Sequence, residues 1–243
     1  MGAGGGAADV EMDEPPRKRM VRLPGGGDGR TPAQRLKTAK QRTPSSQAWL
    51  ERQINDPFVA EAKARGYRSR AAFKLIEIDE KSHLLRRGMR VIDLGCAPGG
   101  WLQVLCQRGA GAVVGVDLLP VDPVPSTVIV QADFTDAGCG ERLAALLGGS
   151  PDLILSDMAP NTTGHRETDH LRITGLIEAA ADFAEKTLRP GGAFVAKAFQ
   201  GGETAEVIAT LKRAFADVRT IKPKASRQES SEVFLVATGF RGR

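Results

Sequence analysis

Short runs rich in β-branched residues alternate with helical patterns from residue 89 to the end of the chain, and this predicts an α/β protein. The expected architecture is a doubly wound, mostly parallel seven-stranded sheet with an antiparallel last strand and helices on the N-terminal side. Three observations carry it. Candidate strands at 89–94, 112–116, 127–130, 153–155 and 193–196 are bounded by Gly, Pro or Asp. Helical stretches near 100–108, 139–147, 168–188 and 202–215 separate or follow them, which is the signature of βαβ units. The last two strands, near 217–222 and 232–238, have no helix between them and should pair as an antiparallel hairpin, so that the final strand runs against the others.

Two helices are expected ahead of the first strand. One should begin near Ser45 and Ser46, which suit an N-cap, and carry Trp49, Leu50, Ile54 and Phe58 at helical spacing up to Gly66. The second, roughly 69–81, places Phe73, Leu75, Ile76 and Ile78 toward a core. Residues 1–44 hold Gly4 to Gly6, Gly25 to Gly27 and four prolines but almost no large apolar side chains, so they read as a disordered, basic Gly/Pro-rich extension. The domain proper is expected over 45–243, with 45–81 as its leading helices.

Composition narrows the function classes. With 243 residues, 41% of them hydrophobic, the chain is long enough to bury a core without cross-links. No uncharged apolar run approaches the ~20 residues that cross a bilayer, so no membrane association is expected. Cys96, Cys106 and Cys139 are odd in number and never spaced as C-x-x-C, which argues against a metal site and a secreted disulfide framework. A cytoplasmic monomer without metal is expected.

The net charge of +5 is unevenly spread. Residues 17–74 hold 15 bases and 4 acids, whereas residues 75–243 hold 19 bases and 21 acids. An excess of that size beside a near-neutral domain is the electrostatic footprint of a nucleic-acid partner. An RNA-facing surface including Arg68, Arg70 and Lys74 is the expectation.

The strand Val91–Leu94 runs into the turn Gly95-Cys96-Ala97-Pro98-Gly99-Gly100, and in open α/β sheets ligands sit beyond the carboxyl ends of such strands. The turn departs from G-x-G-x-x-G, because Ala97 stands at the second Gly and Pro98 follows, which disfavours a dinucleotide pyrophosphate. Asp117 closes the next strand, where a carboxylate can accept the hydroxyls of an adenosine ribose, and Asp133 follows the third, where it can accept from an exocyclic amine. Each acid taken singly also reads as a strand-end cap. Together they suit an adenosyl ligand without phosphates, and S-adenosylmethionine fits that description.

The segments Asp93-Leu-Gly-Cys-Ala-Pro-Gly-Gly-Trp101, Asp117-Leu-Leu-Pro120, Ser156-Asp-Met-Ala-Pro-Asn161, Val195-Ala-Lys-Ala-Phe-Gln-Gly201 and Ser231-Glu-Val-Phe234 resemble the FtsJ family of S-adenosylmethionine-dependent ribose 2′-O-methyltransferases. Within it they are most similar to the bacterial branch acting on 23S ribosomal RNA. The likeness runs from about Ser45 to the C-terminus; Cys96 and Ala72 depart from the expected residues, and the first 44 residues lie outside the pattern. The resemblance implies a Rossmann-like methyltransferase domain with a catalytic tetrad of Lys74, Asp157, Lys197 and Glu232. It implies cofactor contacts at Gly99, Trp101, Asp117, Asp133 and Asp157. It further implies that the substrate is a uridine of the A-loop in 23S rRNA, presented on the 50S subunit.

The residues support that chemistry independently of the likeness. Asp157 follows strand four, Lys197 ends strand five and Glu232 opens a strand of opposite direction, so all three project from one sheet edge. Lys197 lies inside the apolar run 194–199, where an unpartnered charge costs several kcal/mol. Methylation of a hydroxyl needs alignment and removal of one proton. Two roles stay open for Lys197: general base, oriented by Asp157 and Glu232 while Lys74 places the nucleotide, or a protonated group that orients the hydroxyl. His83, His165 and His170 lack metal spacing, and the polar stretch 162–169 is expected as a loop on the substrate side. Base methylation is disfavoured because neither an Asn/Asp-Pro-Pro-aromatic loop nor a cysteine accompanies Asp157. Transfer RNA as substrate, and a noncatalytic RNA-binding assembly factor, remain the alternatives.

Overall fold

A computed structural model describes residues 47, 50–51, 53–159, 166–201, 203–227 and 230–242. The expectations for residues 1–44, for the cap at Ser45 and Ser46, and for Trp49 and His165 lie outside them. The elements in chain order are α1 (Pro57–Ala64), α2 (Ala71–Ser82), β1 (Arg90–Leu94), α3 (Gly100–Gln107), β2 (Ala112–Asp117), β3 (Val128–Gln131), α4 (Cys139–Leu147), β4 (Leu153–Ser156), α5 (Arg166–Thr187), β5 (Ala193–Phe199), α6 (Glu203–Ala214), β6 (Phe215–Ile221) and β7 (Glu232–Phe240).

The seven strands form one sheet in the order β3-β2-β1-β4-β5-β7-β6. β7 inserts between β5 and β6 and is antiparallel to both, so it is the one strand of reversed direction. The order reverses between β1 and β4, which opens a crevice at their carboxyl ends, the usual ligand position in such sheets. The central strands are buried on both faces, which is why they read as continuous apolar runs rather than as alternation. One core layer packs α4, α5 and α6 against the sheet, and the other packs α1, α2 and α3 on the opposite face. Phe73, Leu75, Ile76 and Ile78 of α2 are all buried, as their spacing predicted.

The leading segment departs from the single helix expected up to Gly66. Asn55 turns, and Asp56 adopts extended backbone as the N-cap of α1, its carboxylate accepting from Phe58 N at 2.9 Å. Pro57 explains the break, since its ring disfavours the helical region at the preceding residue while suiting a first helical position. Ile54 consequently ends 41% exposed rather than in the core. The expected substrate-side loop is also shorter on its far side, because α5 already begins at Arg166.

Among the described residues no group of His, Cys, Asp and Glu could hold a metal ion, and no helix is long and apolar enough to cross a membrane.

Candidate active site

The glycine-rich turn after β1 is braced by the acid that ends β2. Asp117 Oδ2 accepts from Ala97 N at 2.8 Å and Oδ1 accepts from Leu119 N at 2.9 Å, so one carboxylate ties the first turn to the second. Gly95 carries a φ of 77° and Gly99 a φ of 104°, both in the left-handed region that favours glycine. A Cβ on Gly99 would also come within 2.9 Å of the Arg68 guanidinium. Beside this turn lies a cleft of about 680 Å³ whose lining includes Gly95, Asp117, Leu118, Asp133, Asp157 and Met158.

Gly99 and Trp101 do not line that cleft. The Trp101 indole is buried, donates from Nε1 to Ala71 O at 2.7 Å and packs on Phe234 at 5.8 Å between ring centroids. Its side chain therefore joins α3 to α2 and to β7, while Gly99 starts α3. Asp133 does line the cleft, and its Oδ1 accepts from both Thr135 N and Thr135 Oγ1, at 2.9 and 2.6 Å. Those two hydrogen bonds hold its carboxyl below the usual carboxylate range against a smaller effect of burial, so it stays an anion with Oδ2 turned to other partners.

Asp93 is the residue that sequence reasoning missed. It is 1% exposed, and neither carboxyl oxygen has a hydrogen-bond partner. Burial first, then the neighbouring charges of Asp157 and Asp117, push its carboxyl well above the usual range. An orphaned acid beneath a ligand turn is a place where a cation would be stabilised. It stands in the motif quoted above, but nothing in the sequence says that no N–H reaches it.

The four residues of the expected tetrad come together in space. Lys74 Nζ lies 3.0 Å from Glu232 Oε2 and 3.3 Å from Asp157 Oδ2. Lys197 Nζ lies 3.1 Å from Asp157 Oδ1 and donates to the Asp157 backbone carbonyl at 2.7 Å. α2 supplies Lys74, β5 supplies Lys197, the residue after β4 is Asp157, and Glu232 opens β7. Pairing of Ser156 with Ala196, and of Phe199 with Glu232, brings the last three to one sheet edge. Burial alone would lower the Lys74 ammonium, but Asp157 and Glu232 outweigh it and hold it above the ordinary lysine value. Burial would likewise raise Asp157, and Lys74 with Lys197 reverse that, leaving the carboxyl below its ordinary value. The result is two cations and two carboxylates within one partly buried network, beside a cleft walled by further acids.

The cations expected to face RNA are committed differently. Arg68 donates to the carbonyls of Pro98, Asp122 and Pro123 at 3.2, 2.6 and 2.7 Å, bracketing the turn before α3 to the loop after β2. Arg70 pairs with Asp56 and donates to Ala225 O. With Lys74 in the tetrad, all three bind within the domain, and the basic stretch contributes architecture at these positions. Carbonyl acceptors brought in by distant loops carry no sequence signature.

The match to known proteins follows this geometry. The FtsJ-like methyltransferase family matches residues 67–240, which include every member of the cluster and the whole sheet. The chain belongs to that family. A ribosomal RNA large subunit methyltransferase E of Caulobacter vibrioides is 67% identical over 226 residues, which is 92% of this chain and 100% of that protein. Its counterpart in Acidiphilium cryptum is 59% identical over 215 residues, 88% of this chain and 96% of the other. Among solved structures, a Plasmodium falciparum protein described as a ribosomal RNA methyltransferase superposes with a TM-score of 0.66 at 34% identity, covering 73% of this chain and 100% of its own. In this methyltransferase the sheet edge that carries Asp93, Asp117 and Asp157 is accordingly the working edge.

Proposed function

We propose that this methyltransferase transfers a methyl group from S-adenosylmethionine to the ribose 2′-hydroxyl of a uridine in the A-loop of 23S rRNA, acting as a cytoplasmic monomer on the 50S subunit. The observation that carries the reading is the Lys74–Asp157–Lys197–Glu232 cluster on the rim of an acid-lined cleft. The names of the large-subunit relatives, which the chain matches over nearly its whole length, support the substrate.

The cleft suits the donor. Asp93, Asp117, Asp133 and Asp157 supply negative charge for a ligand bearing sulfonium and ammonium groups, while Leu118, Leu119 and Met158 offer apolar surface for an adenine. Asp117 and Asp133 would hold the adenosine, and the unpartnered Asp93 carboxyl would take part in neutralising the methionyl end. When bound, S-adenosylmethionine supplies an electrophilic methyl group for the ribose oxygen.

The chain's own residues handle the proton. Lys197 Nζ has two acceptors, both on Asp157, which fix its direction and leave one tetrahedral position for the substrate hydroxyl. In a neutral amine that position is the lone pair, and this favours Lys197 as the group that receives the 2′-hydroxyl proton. Asp157, shared between Lys197 and Lys74, stabilises positive charge on Lys197 after the proton arrives. Lys74, kept as an ammonium by Asp157 and Glu232, places a second cation where the polynucleotide approaches. Burial of the four groups excludes competing water from the hydroxyl.

The test is transfer of a tritiated methyl group to 50S particles or 23S rRNA from a deletion strain, by wild type and by Lys197→Ala, followed by mapping of the modified ribose. Labelling of one A-loop uridine that depends on Lys197 is expected. Labelling of transfer RNA alone would overturn the substrate, and RNA binding without any label would turn the reading to an assembly factor.

A further inference from the structure

We propose that Ser226 is a positioning residue for the methyl-transfer reaction, acting through Glu232, and that Glu77 and Arg70 set Ser226 by clamping the connection between β6 and β7. The inference rests on the proposed function above and extends its machinery to residues outside the tetrad.

Glu77 lies on α2 among apolar neighbours and is 1% exposed. A buried carboxylate must be hydrogen-bonded or neutralised, and here both oxygens face one loop. Oε2 accepts from Lys224 N at 2.7 Å and Oε1 from Ala225 N at 2.8 Å. Arg70, one turn earlier, donates to Ala225 O and is itself held by Asp56. The backbone of Ala225 is thus gripped at its N–H by one side chain of the helical segment and at its C=O by another, and the next residue has its position fixed.

That next residue is Ser226, 3% exposed, whose hydroxyl donates to Glu232 Oε1 at 2.6 Å. The other oxygen of the same carboxylate takes Lys74 at 3.0 Å. Glu232 is the first residue of β7, where a strand-end side chain has several rotamers. With both oxygens assigned, one to the loop and one to α2, a single orientation survives. The consequence passes along the cluster: Glu232 holds Lys74, Lys74 shares Asp157, and both acceptors of Lys197 belong to Asp157. Release of Glu232 Oε1 lets the carboxylate swing away from Lys74 and loosens the group that aims Lys197, without touching the donor cleft.

The decisive comparison is Ser226→Thr against Ser226→Val in the full chain, because the two replacements have the same shape and differ in the hydroxyl; Ser226→Ala against wild type repeats it without added bulk. Single-turnover methyl transfer to RNA at saturating donor is measured with the dissociation constant for S-adenosylmethionine. Titration of Lys74, which faces Asp157 and Glu232, is followed by NMR in the absence of donor and RNA. Ser226→Val and Ser226→Ala should slow transfer about tenfold or more, the effect expected of a misaimed catalytic group, with donor affinity changed less than about twofold, and Ser226→Thr should recover most of the rate. Lys74 should titrate at lower pH in the Val and Ala variants than in wild type and Thr. Equal rates for Thr and Val with an unmoved Lys74, or Ala transferring as fast as wild type, would overturn the proposal. If wild type methylates no RNA, the functional reading falls, and the Lys74 titration still decides whether Ser226 sets Glu232.

Discussion

The donor half and the tetrad half of the cleft share Asp157 and otherwise follow opposite electrostatic logic. The donor half brings together Asp93, Asp117 and Asp133, and its cleft lining includes one cation among the described residues, Arg172. The tetrad half pairs Lys74 and Lys197 with Asp157 and Glu232, two charges of each sign within hydrogen-bond range. Uncompensated negative charge is tolerated in the donor half because Asp93 is kept protonated by burial and by its acidic neighbours. It makes that half depend on a cationic ligand for its best state. The tetrad is satisfied before any substrate arrives, so its function rests on direction. One half therefore answers to changes of charge, and the other to changes of geometry.

The largest effect should come from removing Lys197. Lys197→Ala should lower single-turnover transfer by on the order of 10³-fold, as expected for loss of a general base, while equilibrium binding of S-adenosylmethionine stays within about twofold. Equal loss of both would merge the two halves and break the comparison. Lys197→Arg should be nearly as inactive, because a guanidinium keeps its proton and its planar fork does not match an ammonium site.

Asp93 probes the other half, and its two readouts should move in opposite directions. Asp93→Asn should weaken donor binding about tenfold, equivalent to about 1.4 kcal/mol. The same variant should stabilise the donor-free protein at neutral pH. A carboxyl whose folded value is raised binds a proton that the unfolded chain gives up near pH 3.9, so its cost to stability is absent below that pH and grows as pH rises toward the folded value. Denaturant unfolding from pH 4 to 7 should accordingly show the variant gaining on wild type, by on the order of 1 kcal/mol or more. A constant gap would mean that Asp93 is not protonated on folding.

Asp157 shows the reverse sign. Its carboxyl is held below the ordinary value, so the stabilisation it lends is present above about pH 3.9 and is lost as pH falls through the folded value. Lys74, held above its ordinary value, contributes stability that is full below about pH 10.4 and lost as pH rises through the folded value. Asp157→Asn should flatten the acid limb of a stability profile. An unchanged limb would place the acid sensitivity elsewhere.

The smallest effect should come from deleting residues 1–44, which carry nine bases and five acids. Binding to RNA should weaken, and the slope of log affinity against log salt should become shallower by about 4 at most, since each neutralised phosphate contributes about 0.9 to that slope. Donor affinity should not move. A changed donor affinity would tie the extension to the cleft rather than to RNA.

Much of this was legible in the residues. Strand and helix identities follow from β-branched runs and helical spacing, and the antiparallel ending follows from the absence of a helix between β6 and β7. The tetrad was legible through motif likeness, and Lys197 also through a physical anomaly, a lysine inside an apolar strand. The helix break at Asp56 was available too, since Asp-Pro is a boundary signal, but the apolar spacing of Leu50, Ile54 and Phe58 outweighed it.

What the sequence by itself determined is therefore local: which segments become strands or helices, and which acids and lysines stand at strand ends, because backbone geometry projects alternating or every-fourth side chains to one side. What only the tertiary structure decided is who partners whom. Insertion of β7 between β5 and β6 brings Glu232 to Lys74 across 158 positions, and Glu77 reaches Ala225 across 148. Arg68 and Arg70 are drawn inward by carbonyls of remote loops, whereas no donor reaches Asp93. The free energy of a buried charge depends on the groups within a few ångströms, and those are set by chain segments that share no sequence pattern with it.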